Sequence, residues 1–132
     1  MQIILFTPPS DQRILDGTKT MTARFWKRKP PKEGALISAQ TGYAKTTRFA
    51  ILKVLKVWEW DGEDVSRVLS GIGDHRDITE EIAKKEGFES IGGFCETYYS
   101  LNAHNWHDPD RTHWFIEFEL QEATHGTKNK RT

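Results

Sequence analysis

Three observations predict an α+β fold built on a small, mostly antiparallel β-barrel. Strand-like runs recur between loops marked by Pro and Gly; two helical segments interrupt them near the middle of the chain; and neighbouring runs are joined by links too short for crossover units. The chain has 132 residues, 36% of them hydrophobic, with five Trp. That is enough apolar material for one core without metal or disulfide staples. A single domain is expected over residues 1–120, followed by a flexible C-terminal tail over 121–132.

Taken in order, residues 2–6 (QIILF) form a short buried strand stopped by Thr7-Pro8-Pro9. Ser10 then caps a brief helix that ends at Gly17. From Thr20 the alternation changes to period two: Met21, Ala23 and Phe25 make an apolar face, and Thr20, Thr22 and Arg24 share the other. Two prolines and Gly34 make residues 29–34 a loop, after which 35–39 resumes a strand. Residues 49–60 (FAILKVLKVWEW) are apolar on both parities, as befits a long, bent central strand shared by two parts of a barrel. Asp77-Ile78-Thr79-Glu80 has the form of a capping box, so a helix is expected to begin there and stop at Gly87. Ile91, Phe94, Cys95 and Tyr98 recur at i, i+3, i+4 and i+7 and predict a second helix. Residues 114–120 close the domain as a half-buried strand.

Charge and composition exclude several classes. The formal net charge is zero, which is not the balance of a general nucleic-acid binder. Bases nevertheless cluster in residues 24–32, interleaved with Phe25 and Trp26, while acids gather in 59–64 and 77–89. One cysteine cannot form an internal disulfide, no signal peptide is visible, and no run approaches the roughly 20 apolar residues of a membrane span. A cytoplasmic protein with no membrane role is expected.

Residues 17–24 (GTKTMTAR) concentrate the chemistry. They are not a nucleotide-binding P-loop, which requires Gly where Thr18 and Arg13 stand. A lysine desolvated at a turn loses proton affinity, so Lys19 could serve as general base for the hydroxyl of Thr22. In a regular strand the two would face opposite sides, and convergence requires the chain to turn near Gly17 to Lys19. The alternative is an exposed lysine beside threonines chosen for strand propensity. Glu86 lies at the edge of an apolar helix stripe, directly before a terminating glycine. Partial burial and a helix C-terminus both suit a proton donor or base, against the alternative of a solvated last-turn glutamate. Arg24, Lys27 and Arg28, with Trp26 as a stacking surface and Thr20 on the polar face, are candidate substrate-binding groups. His104, His107, Asp108, Asp110 and His113 lie in a loop region with no helix to fix them as ligands, so a surface turn is expected there and no metal or other cofactor.

The pattern Gly-x-Lys-x-x-x-x-Arg at Gly17, Lys19 and Arg24, followed by Lys32-Glu33-Gly34, by residues 78–88 (ITEEIAKKEGF) and by the closing strand, resembles the ASCH domain family. That resemblance implies a PUA-like β-barrel with a short N-terminal helix and two central helices, and a link to RNA. Many members carry Glu two positions before the motif arginine, where this chain has Thr22. In this respect the chain is similar to a small bacterial branch that hydrolyses N4-acetylcytidine, and the resemblance implies Lys19, Thr22 and Glu86 as catalytic set. Extra residues around 61–76 and in the His-rich loop depart from that branch. Three functions stay open: an amidohydrolase acting on an acylated cytidine, a module that binds RNA or a modified nucleoside without turnover, and a ribonuclease using the same basic cleft.

Overall fold

In the computed structural model, which describes residues 1–71 and 77–124, a five-stranded sheet curls into a half-barrel. Its strands are β1 (Gln2–Leu5), β2 (Met21–Trp26), β3 (Leu36–Gln40), β4 (Arg48–Trp60) and β5 (Thr112–Glu122), in the order β1-β3-β4-β5-β2. All pairings are antiparallel except β1 with β3, which is parallel. The chain between those two, helix α1 (Ser10–Leu15) and then β2, is a crossover that short link lengths did not suggest. β5 begins before residue 114 and runs to Glu122, two residues into the segment expected as a tail; residues 125–132 lie outside the described residues.

Among the described residues the barrel does not close by backbone pairing. β1 and β2 are the two edges of the sheet, and arginine side chains bridge them. Arg24 Nη2 donates to the Leu5 carbonyl at 2.8 Å, and Arg28 Nη2 donates to the Ile3 carbonyl at 3.2 Å. An unpaired edge invites association, and charged groups on it oppose that.

β4 spans two cores because its register shifts between Val54 and Lys56. A bulge adds one residue and so reverses which parity faces which side. Before it, Ala50, Leu52 and Val54 join Ile4, Ile37 and Ile116 in a first core; after it, Trp60 joins Phe25, Phe94 and Phe115 in a second. Apolarity on both parities is thereby explained.

Helices α2 (Glu63–Leu69), α3 (Glu80–Lys85) and α4 (Ile91–Asn102) contribute to the second core through Val65, Ala83, Phe94, Cys95 and Tyr98. The helix α2 replaces part of the connection expected over 61–76, of which 72–76 lie outside the described residues. Two helix starts also differ from expectation. Ser10 is the first residue of α1 rather than its cap, and α3 is capped by Thr79, whose hydroxyl accepts from the Ile82 N–H at 3.1 Å. Asp77 lies two residues ahead of that cap, where the buried Asp64 carboxylate of α2 accepts from the backbone N–H groups of Asp77 and Ile78 and from Arg67. No helix among the described residues is long and apolar enough to cross a membrane.

Candidate active site

Lys19 escapes the alternation of β2 because it lies before the strand, in the turn after α1. Gly17 adopts a left-handed φ of 86°, Asp16 Oδ1 accepts from the Thr18 N–H at 2.9 Å, and the Lys19 N–H donates to the Arg13 carbonyl at 2.9 Å. The side chain therefore turns inward. Its ammonium donates to the Glu86 carbonyl at 2.9 Å and meets Glu86 Oε1 at 3.3 Å, with Lys19 5% and Glu86 3% exposed.

Glu86 is placed by the end of α3. It is the C-cap, and Gly87 follows with a φ of 91°. Its Oε1 also accepts from the Ala23 N–H at 3.2 Å, so the carboxylate satisfies the free edge of β2. The other oxygen, Oε2, is buried and has no hydrogen-bond partner among the described residues. Gly87 matters for space as well as conformation: a Cβ there would stand 3.2 Å from Arg13 Cδ and 3.5 Å from Lys19 Cβ. Gly87→Ala is expected to cost about 1–2 kcal/mol from the left-handed backbone alone, measurable by urea unfolding.

Thr22, in β2 and 3% exposed, completes the group. Its Oγ1 accepts from Arg24 Nε at 3.0 Å, and the guanidinium in turn lies 4.8 Å from the centre of the Phe6 ring. Burial lowers the Arg24 pKa to about 10, so it remains a cation at neutral pH. Burial also pushes the Lys19 ammonium below its ordinary value, against the opposing attraction of Glu86; Arg24 and Arg13 add to the lowering. No hydrogen bond joins Lys19 to Thr22 among the described residues. They meet instead as walls of one cleft of about 380 Å³, which Glu86 and Arg24 also line.

The remaining wall is aromatic and comes mainly from α4 and β2: Phe25, Trp26, Phe88, Phe94 and Tyr98. Tyr98 belongs to the helix stripe expected to be core, and its hydroxyl is 2.8 Å from His113 Nδ1. Burial raises the phenol well above its ordinary value and lowers His113 to about 4. The un-ionised Tyr98 and the neutral imidazole therefore share this hydrogen bond, its direction set by the tautomer of His113. His113 is thus no loop ligand. It lies in β5, stacked on Phe25 with ring centres 4.0 Å apart. His104 and His107 are exposed, and Asp108 pairs with Lys27 at 3.6 Å and Arg111 at 3.4 Å. Among the described residues no group of three His, Cys, Asp or Glu side chains could hold a metal ion.

The low His113 value sets a pH dependence. Between about 4 and 6.5 the unfolded chain binds this proton and the folded one does not, so stability falls as pH drops through that window. Asp61 acts in the opposite sense, favouring the charged imidazole, and the un-ionised Tyr98 faces it from α4. His113→Gln is expected to flatten the pH dependence of the unfolding midpoint between pH 4 and 6.5.

Of the candidate binding residues, Arg24 and Trp26 line the cleft, and Arg28 lies in an adjoining hollow, its guanidinium 4.1 Å from the Trp26 ring centre. Lys27 and Thr20 are not among the lining residues. Lys27 is held at the surface by Asp108, and the Thr20 backbone is engaged with Lys85 and Phe118. Sequence reasoning missed Tyr98 and Arg111. Helical spacing marks Tyr98 only as buried, while Arg111, whose Nη1 donates to the Phe25 carbonyl at 3.1 Å, carries no local signal.

No family model matches the sequence, and no curated protein matches it. Solved structures do. A protein from Enterococcus faecalis of the DUF984 family model superposes with a TM-score of 0.69 at 17% identity, covering 98% of this chain and 81% of that one. The ASCH domain from Lactobacillus crispatus superposes at 0.64 with 14% identity, covering 90% and 78%. Identity this low speaks only for architecture, and on that ground the chain has the fold of an ASCH domain.

Proposed function

We propose that the cleft hydrolyses the exocyclic amide of an N4-acylated cytidine. One observation carries this reading: a buried lysine paired with a buried glutamate lines the same cleft as a buried threonine whose hydroxyl already accepts from an arginine. A volume of about 380 Å³ suits a small ligand, and the aromatic walls offer stacking surfaces to a base.

In the reaction, Thr22 Oγ1 attacks the acyl carbonyl as Lys19, driven toward its neutral amine by burial, takes the hydroxyl proton. The Arg24 Nε–H bond to Oγ1 stabilises the alkoxide character that develops. The C–N bond of the tetrahedral adduct breaks as that hydroxyl proton, passed from Lys19 to Glu86 Oε1 along the contact between them, is delivered to the departing N4, leaving cytidine and an ester on Thr22. Water, deprotonated by the same groups, then attacks the ester, releasing the carboxylic acid and restoring the hydroxyl. Each proton taken is returned, and no other reactant is needed.

A second reading, RNA binding without turnover, is favoured by the two arginines beside Trp26 at the open barrel edge. Incubation of the protein with N4-acetylcytidine and separately with a short RNA, followed by mass analysis, separates the readings. Deacetylation that disappears in Lys19→Ala supports the hydrolase. Retention of RNA, sensitive to salt and without any product, would replace it with the binding module.

A further inference from the structure

A second hollow, of about 550 Å³, shares Leu5, Arg24 and Trp26 with the catalytic cleft, so the two meet along the gap between β1 and β2. Its other walls include Arg28 and the exposed Tyr43. Two cations face this gap without neutralisation. Among the described residues neither Arg24 nor Arg28 has a carboxylate within ion-pair distance. The acid whose charge reaches Arg24 is Glu86, which is already paired with Lys19. Arg28 is itself among the groups that disfavour charge on Arg24.

Donor capacity is left over as well. Arg24 commits Nε to Thr22 and one Nη2 proton to Leu5, and Arg28 commits one Nη2 proton to Ile3. Nη1 of both residues, and Nε of Arg28, make no hydrogen bond among the described residues. The carbonyl bonds fix both guanidiniums across the gap, and the Arg28 guanidinium carbon sits over the Trp26 ring, 4.1 Å from its centre. Two fixed, unneutralised guanidiniums with spare N–H groups are matched by a phosphate, which accepts from arginine in pairs.

We infer that this seam binds a phosphate carried on the ribose of the nucleotide whose base enters the cleft, so that the enzyme acts on a nucleotide or on a residue within a strand in preference to a free nucleoside. The inference rests on the cleft accepting the cytosine base as proposed above. A monophosphate and the phosphodiester of an RNA strand present the same chemistry to the two arginines.

Calorimetric titration of the wild-type protein with cytidine, its 5′- and 3′-monophosphates, and the trinucleotide ApCpA tests the seam. A phosphorylated ligand is expected to bind about 10- to 100-fold more tightly than cytidine, with an advantage that shrinks as salt rises. That advantage is expected to vanish in Arg28→Gln, an exposed position whose change leaves the Arg24 bond to Thr22 in place. Preference for a monophosphate identifies a mononucleotide as the ligand, and preference for ApCpA identifies a strand. Equal binding of all four, or a phosphate preference that survives in Arg28→Gln, overturns the inference. These ligands carry no acyl group, so the outcome is independent of turnover. Hydrolysis of N4-acetylcytidine with no phosphate preference would sink the seam alone, and a phosphate preference without hydrolysis would sink only the amidohydrolase.

Discussion

Thr22→Val is expected to lower kcat for N4-acetylcytidine hydrolysis by about a thousandfold or more, with little change in nucleoside affinity, as for loss of a nucleophile in other acyl-transfer sites. Valine keeps the volume and branching of the buried threonine, so the fold should persist. What is lost is Oγ1, and with it the acceptor that holds Arg24 Nε at 3.0 Å. Thr22→Ser, which keeps the oxygen, should recover a large part of the rate. Steady-state kinetics on both variants, with thermal unfolding as a check on folding, would decide the matter. A valine variant within tenfold of wild type would show that water attacks the amide directly and that Thr22 only shapes the wall.

The second large effect is on stability and should be strongly non-additive. Lys19→Met and Glu86→Leu each strand a buried charge, and such losses cost about 3–5 kcal/mol. Together they replace an ion pair by apolar groups, and the double variant should regain most of that loss. A double-mutant cycle by urea unfolding measures the coupling directly. pH supplies an independent reading. The folded-state pKa of Lys19 lies below its unfolded value, so in the interval between them the unfolded chain holds more protons and stability rises with pH. Lys19→Met should remove that slope. A double variant as stable as wild type but catalytically dead would mark the pair as retained for chemistry at the expense of packing.

Much of this site was legible because its members are set by local rules. Gly17 marks a turn, period-two spacing puts Thr22 and Arg24 on one face, and Gly87 stops a helix directly after Glu86. The apparent conflict between Lys19 and Thr22 vanished since Lys19 is not in the strand. Features that depend on distant partners left no local trace. α2 starts at Gly62 without a capping side chain, and its buried residues, Asp64 and Val65, form no stripe. The parallel pairing of β1 with β3 is chosen by the sheet as a whole, and the parity change in β4 comes from a bulge that no residue near Leu55 announces. Thr79 rather than Asp77 caps α3, and a carboxylate thirteen residues before Asp77 accepts from the backbone there.

That carboxylate also has a bearing on the cleft. Asp64 grips the chain at Asp77 and Ile78, immediately ahead of the helix that ends at Glu86. The position of Glu86 is therefore tied directly to α2. A substitution at Asp64 is therefore expected to reach Glu86 through that tie, although Asp64 itself does not line the cleft.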